Sequence, residues 1–303
     1  MALALDPETR RRLVDRELWR GDEPGHDRLD EVARYLEHSS GRLAHSLALI
    51  ERLRRDGRLA TPVLELGSEP WLFTQLLFER GIAVTAASFH PDEDLDADQV
   101  TLIWNGRRHV AERHLFDAER DRWPFAEGAF GTVLCMELLE HLTVSPAHML
   151  YEANRVLAPG GTLLLTTPNA LAAPKLVALL RGRSVHWAYS GHGPHGRHNR
   201  EFTPDEVRLV LGEANFDADV TTANLAGYEA SDRLARGVQR LSALPLRRTA
   251  RRRDHIFALG RKAGPPRLSF PPSLYRSYDR DILRRLGTPL PDEDQPATSA
   301  SRP

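Results

Sequence analysis

The chain has 303 residues, 41% hydrophobic and 27% charged, with 41 Lys and Arg against 42 Asp and Glu. That balance excludes the basic footprint of a general nucleic-acid binder, and no run approaches the ~20 apolar residues of a membrane-spanning helix. Cys135, the single cysteine, excludes an intrachain disulfide and a cysteine-built metal cluster and suits a reducing, cytoplasmic setting.

The N-terminus reaches Arg10-Arg11-Arg12 without the apolar core of a signal peptide. Leu29, Val32, Ala33 and Leu36, then Leu43, Leu47, Ile50 and Leu53, recur at three- and four-residue spacings, which predicts helix from Asp27 to Asp56. Ser39-Ser40-Gly41 is expected to break it into two helices, and Gly57 to end the second. Residues 1–57 are thus expected as an N-terminal helical unit that either caps a pocket or simply packs.

From Pro62 strands and helices alternate. Pro62–Leu66 and Ala83–Ala87 read as short buried strands with a helix, Trp71–Arg80, between them. Val100–Trp104 is a candidate extra strand, followed by Arg113–Phe116 and the apolar, β-prone run Phe130–Met136. Ala147–Leu157 reads as a helix stopped by Pro159-Gly160-Gly161, and Thr162–Thr167 as the next strand. Ala170–Asn199 is less regular and rich in His, Gly and Arg, and residues 170–202 are expected as an insertion over the acceptor site. Thr203 is placed to cap a helix with Pro204 in its first turn. Phe216–Thr222 and His255–Leu259 read as closing strands, with the arginine-rich stretch Arg233–Arg253 between them. That stretch could bind a polyanion, form a solvated helical face or make a self-association contact. Residues 264–303 form a Pro-rich tail, expected to be disordered from about Pro291.

The alternation predicts an α/β fold. It is a doubly wound, mainly parallel sheet covered by helices on both faces, with an antiparallel closing strand, over residues 58–263. Ligands of such sheets bind beyond the carboxyl ends of the strands. Glu65, Ser88, Asp117, Glu137 and Thr167 all fall at that edge. Carboxylates at neighbouring strand ends suit a cationic, ribose-bearing ligand. A phosphate-rich dinucleotide needs a full glycine fingerprint at a helix N-terminus, and Ser68-Glu69-Pro70-Trp71 stands there instead.

Val63-Leu64-Glu65-Leu66-Gly67, Phe116-Asp117 with Trp123-Pro124-Phe125, Phe130–Leu142 and Glu152–Asn169, in this order and spacing, resemble the class I S-adenosylmethionine-dependent methyltransferases over residues 60–220. Glu65–Thr74 and Ser190–Thr203 resemble more narrowly the branch found beside polysaccharide and glycoside biosynthesis. The resemblance implies a Rossmann-like fold and S-adenosylmethionine as methyl donor. It puts Glu65, Gly67, Ser68 and Pro70 at the turn that approaches the donor's methionine part, with Met136 and Glu137 beside it. Ser88 stands where the family has an acid for the ribose, a weaker neutral partner, and Asp117 faces the adenine amino group. Ser68, Glu69, Pro70 and Trp71 depart from the glycine-rich pattern.

Methyl transfer to a hydroxyl needs a positioned acceptor and a base. His141 is the first candidate, with Glu137 and Glu140 to orient it or take the proton, and His198 a second candidate. The alternative for His141 is a packing or capping role. Tyr189, His192, His195, Asn199 and Arg200, in the insertion 170–202, are expected at the acceptor. No metal is expected, because only Glu201 is a carboxylate interleaved with the histidines; a divalent ion such as Mg²⁺ is the alternative. The expected reaction is O-methylation of a hydroxyl on a sugar, an oligosaccharide or a glycosylated molecule. The alternatives are a small natural product as O- or N-acceptor, or a non-catalytic scaffold on a degenerate fold. Expected partners are a small-molecule or saccharide acceptor and no nucleic acid, with homo-oligomerisation open.

Overall fold

Val63–Leu66, Phe130–Met136 and most of Leu157–Pro168 are apolar without alternation, as strands buried on both faces must be. The computed structural model shows why. It describes residues 4–14, 29–89, 97–104, 107–191, 193–226, 228, 233–244, 250–278 and 280–285. Among these, eight strands form one sheet: β1 Val63–Leu66, β2 Val84–Ser88, β3 Ala97–Trp104, β4 Arg107–Leu115, β5 Phe130–Met136, β6 Leu157–Pro168, β7 Phe216–Ala223 and β8 His255–Lys262. Their order is β3-β4-β2-β1-β5-β6-β8-β7. The strands from β4 to β6 are parallel, β8 runs antiparallel between β6 and β7, and β3 pairs antiparallel with β4 at the far edge. The order reverses between β1 and β5, the switch point where such sheets open a crevice.

The helices are α1 Pro7–Leu13, α2 Leu29–Arg55, α3 Leu72–Phe78, α4 Ala147–Val156, α5 Ala173–Leu180, α6 Pro204–Glu213, α7 Arg233–Ser242 and α8 Arg280–Arg285. Successive strand side chains point to opposite faces. Val133 and Cys135 of β5 and Leu163 and Leu165 of β6 join Met149 and Val156 of α4 and Val207 and Leu211 of α6. Leu134, Met136 and Leu164 join Leu43, Leu47 and Ile50 of α2 and Leu72 and Leu76 of α3 on the other face. The doubly wound sheet and its antiparallel closing strand are therefore as expected.

Two local expectations fail. Ser39-Ser40-Gly41 does not break the N-terminal helix, and α2 runs unbroken for 27 residues. Ser39 Oγ donates to the Tyr35 carbonyl 2.6 Å away, so the hydroxyl is satisfied within the helix. Gly41 is there for close approach: a Cβ would lie 2.4 Å from the Ala226 carbonyl oxygen. The second miss is α5, inside the segment read as irregular; Pro174 sits in its first turn. The cap on α6 is as read, and Thr203 and Glu206 complete a reciprocal capping box. The expected disordered tail lies outside the described residues.

Candidate active site

Each residue singled out at the strand edge arrives there because its strand ends there. β1 delivers Glu65, β2 Ser88, the turn after β4 Asp117, and β5 Met136 and Glu137. Gly67, at φ +65°, closes β1, and a Cβ there would meet nothing nearer than Leu138 Cδ1 at 3.9 Å. The backbone therefore faces open space, as a turn that receives a ligand should. Two hollows adjoin at this point. The larger, with about 910 Å³ of free space, is lined among others by Gly67, Ser88, Phe89, Asp117, Glu137 and His141. The smaller lies under α2 and includes Tyr35, Arg42, Glu65, Ser68, Pro70 and Met136. Leu66, Gly67 and Glu69 line both.

The non-glycine loop has a structural reason. Trp71, where the third glycine would stand, adopts φ +64°, a left-handed conformation costing roughly 1–2 kcal/mol for a side-chain-bearing residue. Its side chain is buried with Ala86 and Ala111, which offsets that cost. Glu137, on the opposite wall, is likewise left-handed at φ +54°. Glu69 enters the cleft with Arg113 Nη1 3.5 Å from its carboxylate. Ser68 and Ser88 lie hydroxyl to hydroxyl at 3.2 Å.

The four carboxylates differ in state. Burial pushes Glu65 up to about 8, opposed only by the 2.6 Å hydrogen bond that Thr74 Oγ1 donates to it. Burial also raises Asp117, whose Oδ1 accepts the Glu119 amide at 2.8 Å. Glu137 goes the other way. Burial opposes its charge, but Arg42 and His255, with Thr166, more than compensate and hold it at about 2. Arg42 Nε lies 3.8 Å and His255 Nε2 3.4 Å from its Oε2, and Thr166 Oγ1 donates to Oε1 at 2.9 Å. Glu140, fully buried, is raised by burial and by neighbouring Glu137.

His141 is fixed by the insertion. Its Nδ1 lies 2.9 Å from the His195 carbonyl, which can only accept, so Nδ1 carries the proton and Nε2 the lone pair. Burial and His198 lower its pKa, against the pull of the His195 and Arg197 carbonyls and of Glu137, so the ring is neutral at pH 7. Asn199 pins the insertion in place: its amide donates to the Glu140 carbonyl at 2.7 Å, and its Nδ2 to the His141 and Pro194 carbonyls at 2.8 and 2.9 Å. His198 stands 4.9 Å from the His141 ring, with Nδ1 3.0 Å from Glu201 and Nε2 3.9 Å from Glu140. The His195 ring reaches the cleft and packs edge-on to Phe89. Arg200 pairs with Glu206 at 2.7 Å, and Tyr189 is 91% exposed under the Arg197 guanidinium. Neither lines the cleft. His192 lies outside the described residues.

Arg42, His255 and Tyr228 were not singled out from the sequence. They come from α2, β8 and the segment after β7, and only the tertiary fold brings them to Glu137. Glu119 was missed too; its buried carboxylate accepts the amides of Thr143, Val144 and Ser145 and so ties the turn after β4 to the segment before α4. Among the described residues, Glu140, His141 and His198 have ligand-type atoms within 4.8 Å of one another and could hold a divalent ion. Glu140 Oε1 has no hydrogen-bond partner there.

A family model described as a methyltransferase domain matches residues 33–221, more than half of the chain. The chain belongs to that family. It carries a methyltransferase domain. The chain is 26% identical over 158 residues to a ubiquinone biosynthesis O-methyltransferase of Paracidovorax citrulli, covering 51% of this chain and 63% of that protein. It is 29% identical over 126 residues to the protein of the same name from Xanthomonas campestris, covering 41% of this chain and 51% of that one. It thus spans between half and two thirds of these curated relatives. Among solved structures it resembles an S-adenosylmethionine-dependent methyltransferase from Archaeoglobus fulgidus, at 14% identity, 76% and 98% coverage and a TM-score of 0.47. A Burkholderia thailandensis 1,6-didemethyltoxoflavin-N1-methyltransferase with S-adenosylhomocysteine bound is 17% identical, with 78% and 83% coverage and a TM-score of 0.43.

Proposed function

We propose that the chain is a methyltransferase that transfers the methyl group of S-adenosylmethionine to a hydroxyl oxygen, and that His141 takes the proton. The observation that carries the reading is the His141 ring: neutral, oriented through Nδ1 by the His195 carbonyl, and on the wall of the cleft. The two hollows meeting at Gly67 fit an elongated, cationic donor. Glu65, Ser68 and Met136 line the amino-acid side, where Arg42 Nε is buried without a hydrogen-bond partner and suits a carboxylate. Asp117 and Ser88 line the nucleoside side. Glu69 supplies the ribose carboxylate that Ser88 lacks.

Bound there, the donor supplies an electrophilic methyl on a sulfonium, which becomes a neutral thioether on transfer. The chain's own residues do the rest. Glu137, held ionised by Arg42 and His255, gives the donor's positive end a fixed negative partner. His141 Nε2 accepts the hydroxyl proton as the acceptor oxygen takes the methyl, so the oxygen attacks as a nascent alkoxide. The insertion, pinned through Asn199, sets the acceptor over the cleft and limits water.

The relatives named as O-methyltransferases support oxygen as the acceptor atom. A sugar acceptor rests on Glu65–Thr74 and Ser190–Thr203 alone, and the relatives' names do not add to it. Incubation with methyl-labelled donor and matched sets of phenols, sugars and amines, read by mass spectrometry, tests the reading. Labelled methyl ethers are expected, and His141→Ala should lower turnover about 10²–10⁴-fold, the range for a general base, with donor affinity kept. N-methyl products, or full turnover in the variant, would overturn it.

A further inference from the structure

Helix α7 is docked by its polar side. Ala235, Gln239 and Ser242, four and three residues apart, are the buried stripe. Gln239 Nε2 donates to both oxygens of Asp254 at 2.9 and 2.8 Å and to the Tyr228 carbonyl at 2.9 Å, and Asn224 Nδ2 donates to Ser242 Oγ at 3.0 Å. The neighbouring stripe, Leu234 and Leu241 with the half-buried Val238 between them, faces outward. Leu234 is 55% and Leu241 58% exposed, and Leu244 beyond the helix is 46% exposed. The third stripe, Arg233, Arg236 and Arg240, is exposed as well. A helix serving the fold alone buries its apolar stripe; this one presents it to solvent beside a row of arginines.

The surface continues on α5, which packs against α7. α5 ends in Leu179 and Leu180, 53% and 87% exposed, and Arg181 and Arg183 follow. Trp187 and Tyr189 come next, 54% and 91% exposed. From Arg233 to Arg253 the sequence has eight arginines and no acidic residue.

We propose that α5 and α7 form a docking face for an anionic lipid bilayer. Leucines flanked by arginines are the pattern of a helix lying in the membrane interface, and exposed Trp and Tyr prefer the headgroup level. A second copy of the chain is the poorer occupant, since a two-fold contact would set arginine stripe against arginine stripe. A nucleic acid would leave the leucines unused. No helix among the described residues is long and apolar enough to cross a membrane, so the attachment is peripheral. The inference stands on the surface alone and holds for any acceptor.

The test is co-sedimentation of the full chain with vesicles of phosphatidylcholine, alone or mixed with phosphatidylglycerol, at low and high salt. Binding to the mixed vesicles is expected to exceed binding to phosphatidylcholine about tenfold or more and to fall in high salt, because each arginine near an anionic surface adds attraction that salt screens. Leu241→Asp, and separately Arg236→Glu with Arg240→Glu, should each lower binding about tenfold with an unchanged thermal midpoint, since all three side chains are exposed. Equal binding to both vesicles, binding to neither, or variants that bind like the parent would overturn the proposal. So would a dimer in light scattering that Leu241→Asp converts to monomer, which would make the stripe a subunit contact.

Discussion

Replacing Glu65 by glutamine should stabilise the protein at neutral pH and flatten its pH dependence. The carboxyl is 2% exposed at the end of β1 and is raised by burial from 4.5 to about 8. A raised carboxyl pKa favours the fold fully below the unfolded value and progressively less as pH rises through the folded one. The window is therefore about pH 4.5 to 8. At pH 7 the unfolded chain has released this proton and the folded chain has kept it, a gap of about 2.5 pH units at 1.36 kcal/mol each, or about 3 kcal/mol. Glutamine keeps an acceptor for Thr74 Oγ1 and carries no proton to lose. Urea unfolding of both proteins from about pH 5 to pH 8 is the assay. The variant's advantage should grow from about 1 kcal/mol at pH 5 to about 3 kcal/mol at pH 7. A difference that stays constant with pH would refute the assignment of a buried, neutral Glu65. The same proton has a functional reading. With the donor posed as proposed, its ammonium beside Glu65 should ionise that carboxyl, so calorimetry in two buffers of different ionisation enthalpy should show close to one proton released on binding at pH 7. The release should vanish in the variant, and buffer-independent heats for the parent would refute the contact.

Asp117→Ala should weaken donor binding about tenfold or more, the worth of one charge-assisted hydrogen bond, and an unchanged dissociation constant would place Asp117 outside the nucleoside site. Gly41→Ala, whose methyl would lie 2.4 Å from the Ala226 carbonyl, should cost about 1–3 kcal/mol by overpacking; urea unfolding checks it, and a neutral result would mean that α2 and the segment after β7 part easily. If Glu140, His141 and His198 hold a working divalent ion, activity should collapse with a chelator and return with Mg²⁺ or Mn²⁺, whereas indifference to chelation leaves His141 as a base without metal.

The strand edge was legible because each of its residues is reported by its own neighbourhood. Val63–Gly67 is an apolar strand closed by an acid and a glycine, and Phe130–Glu137 repeats the signal, so Glu65, Gly67 and Glu137 could be placed before any contact was known. The state of those groups was not legible. Glu65 and Glu137 look alike in sequence, but one is held neutral by burial and the other ionised by Arg42 and His255. Those partners lie on elements far apart in the chain. Ser39-Ser40-Gly41 misled because local breaker chemistry was overridden by tight packing against Ala226. The missing glycine at Trp71 likewise made sense only when its left-handed backbone and buried indole were seen together.

By itself, then, the sequence determined the sheet and its carboxyl-end crevice, because apolar periodicity and strand-terminal acids are local properties; the methyl-donor reading came from the resemblance of its motifs to a family. The tertiary structure alone decided which carboxylates are charged, which nitrogen of His141 is basic, and that α7 turns its leucines outward. Desolvation, ion pairing and the choice of buried face depend on side chains that meet only after the chain has folded.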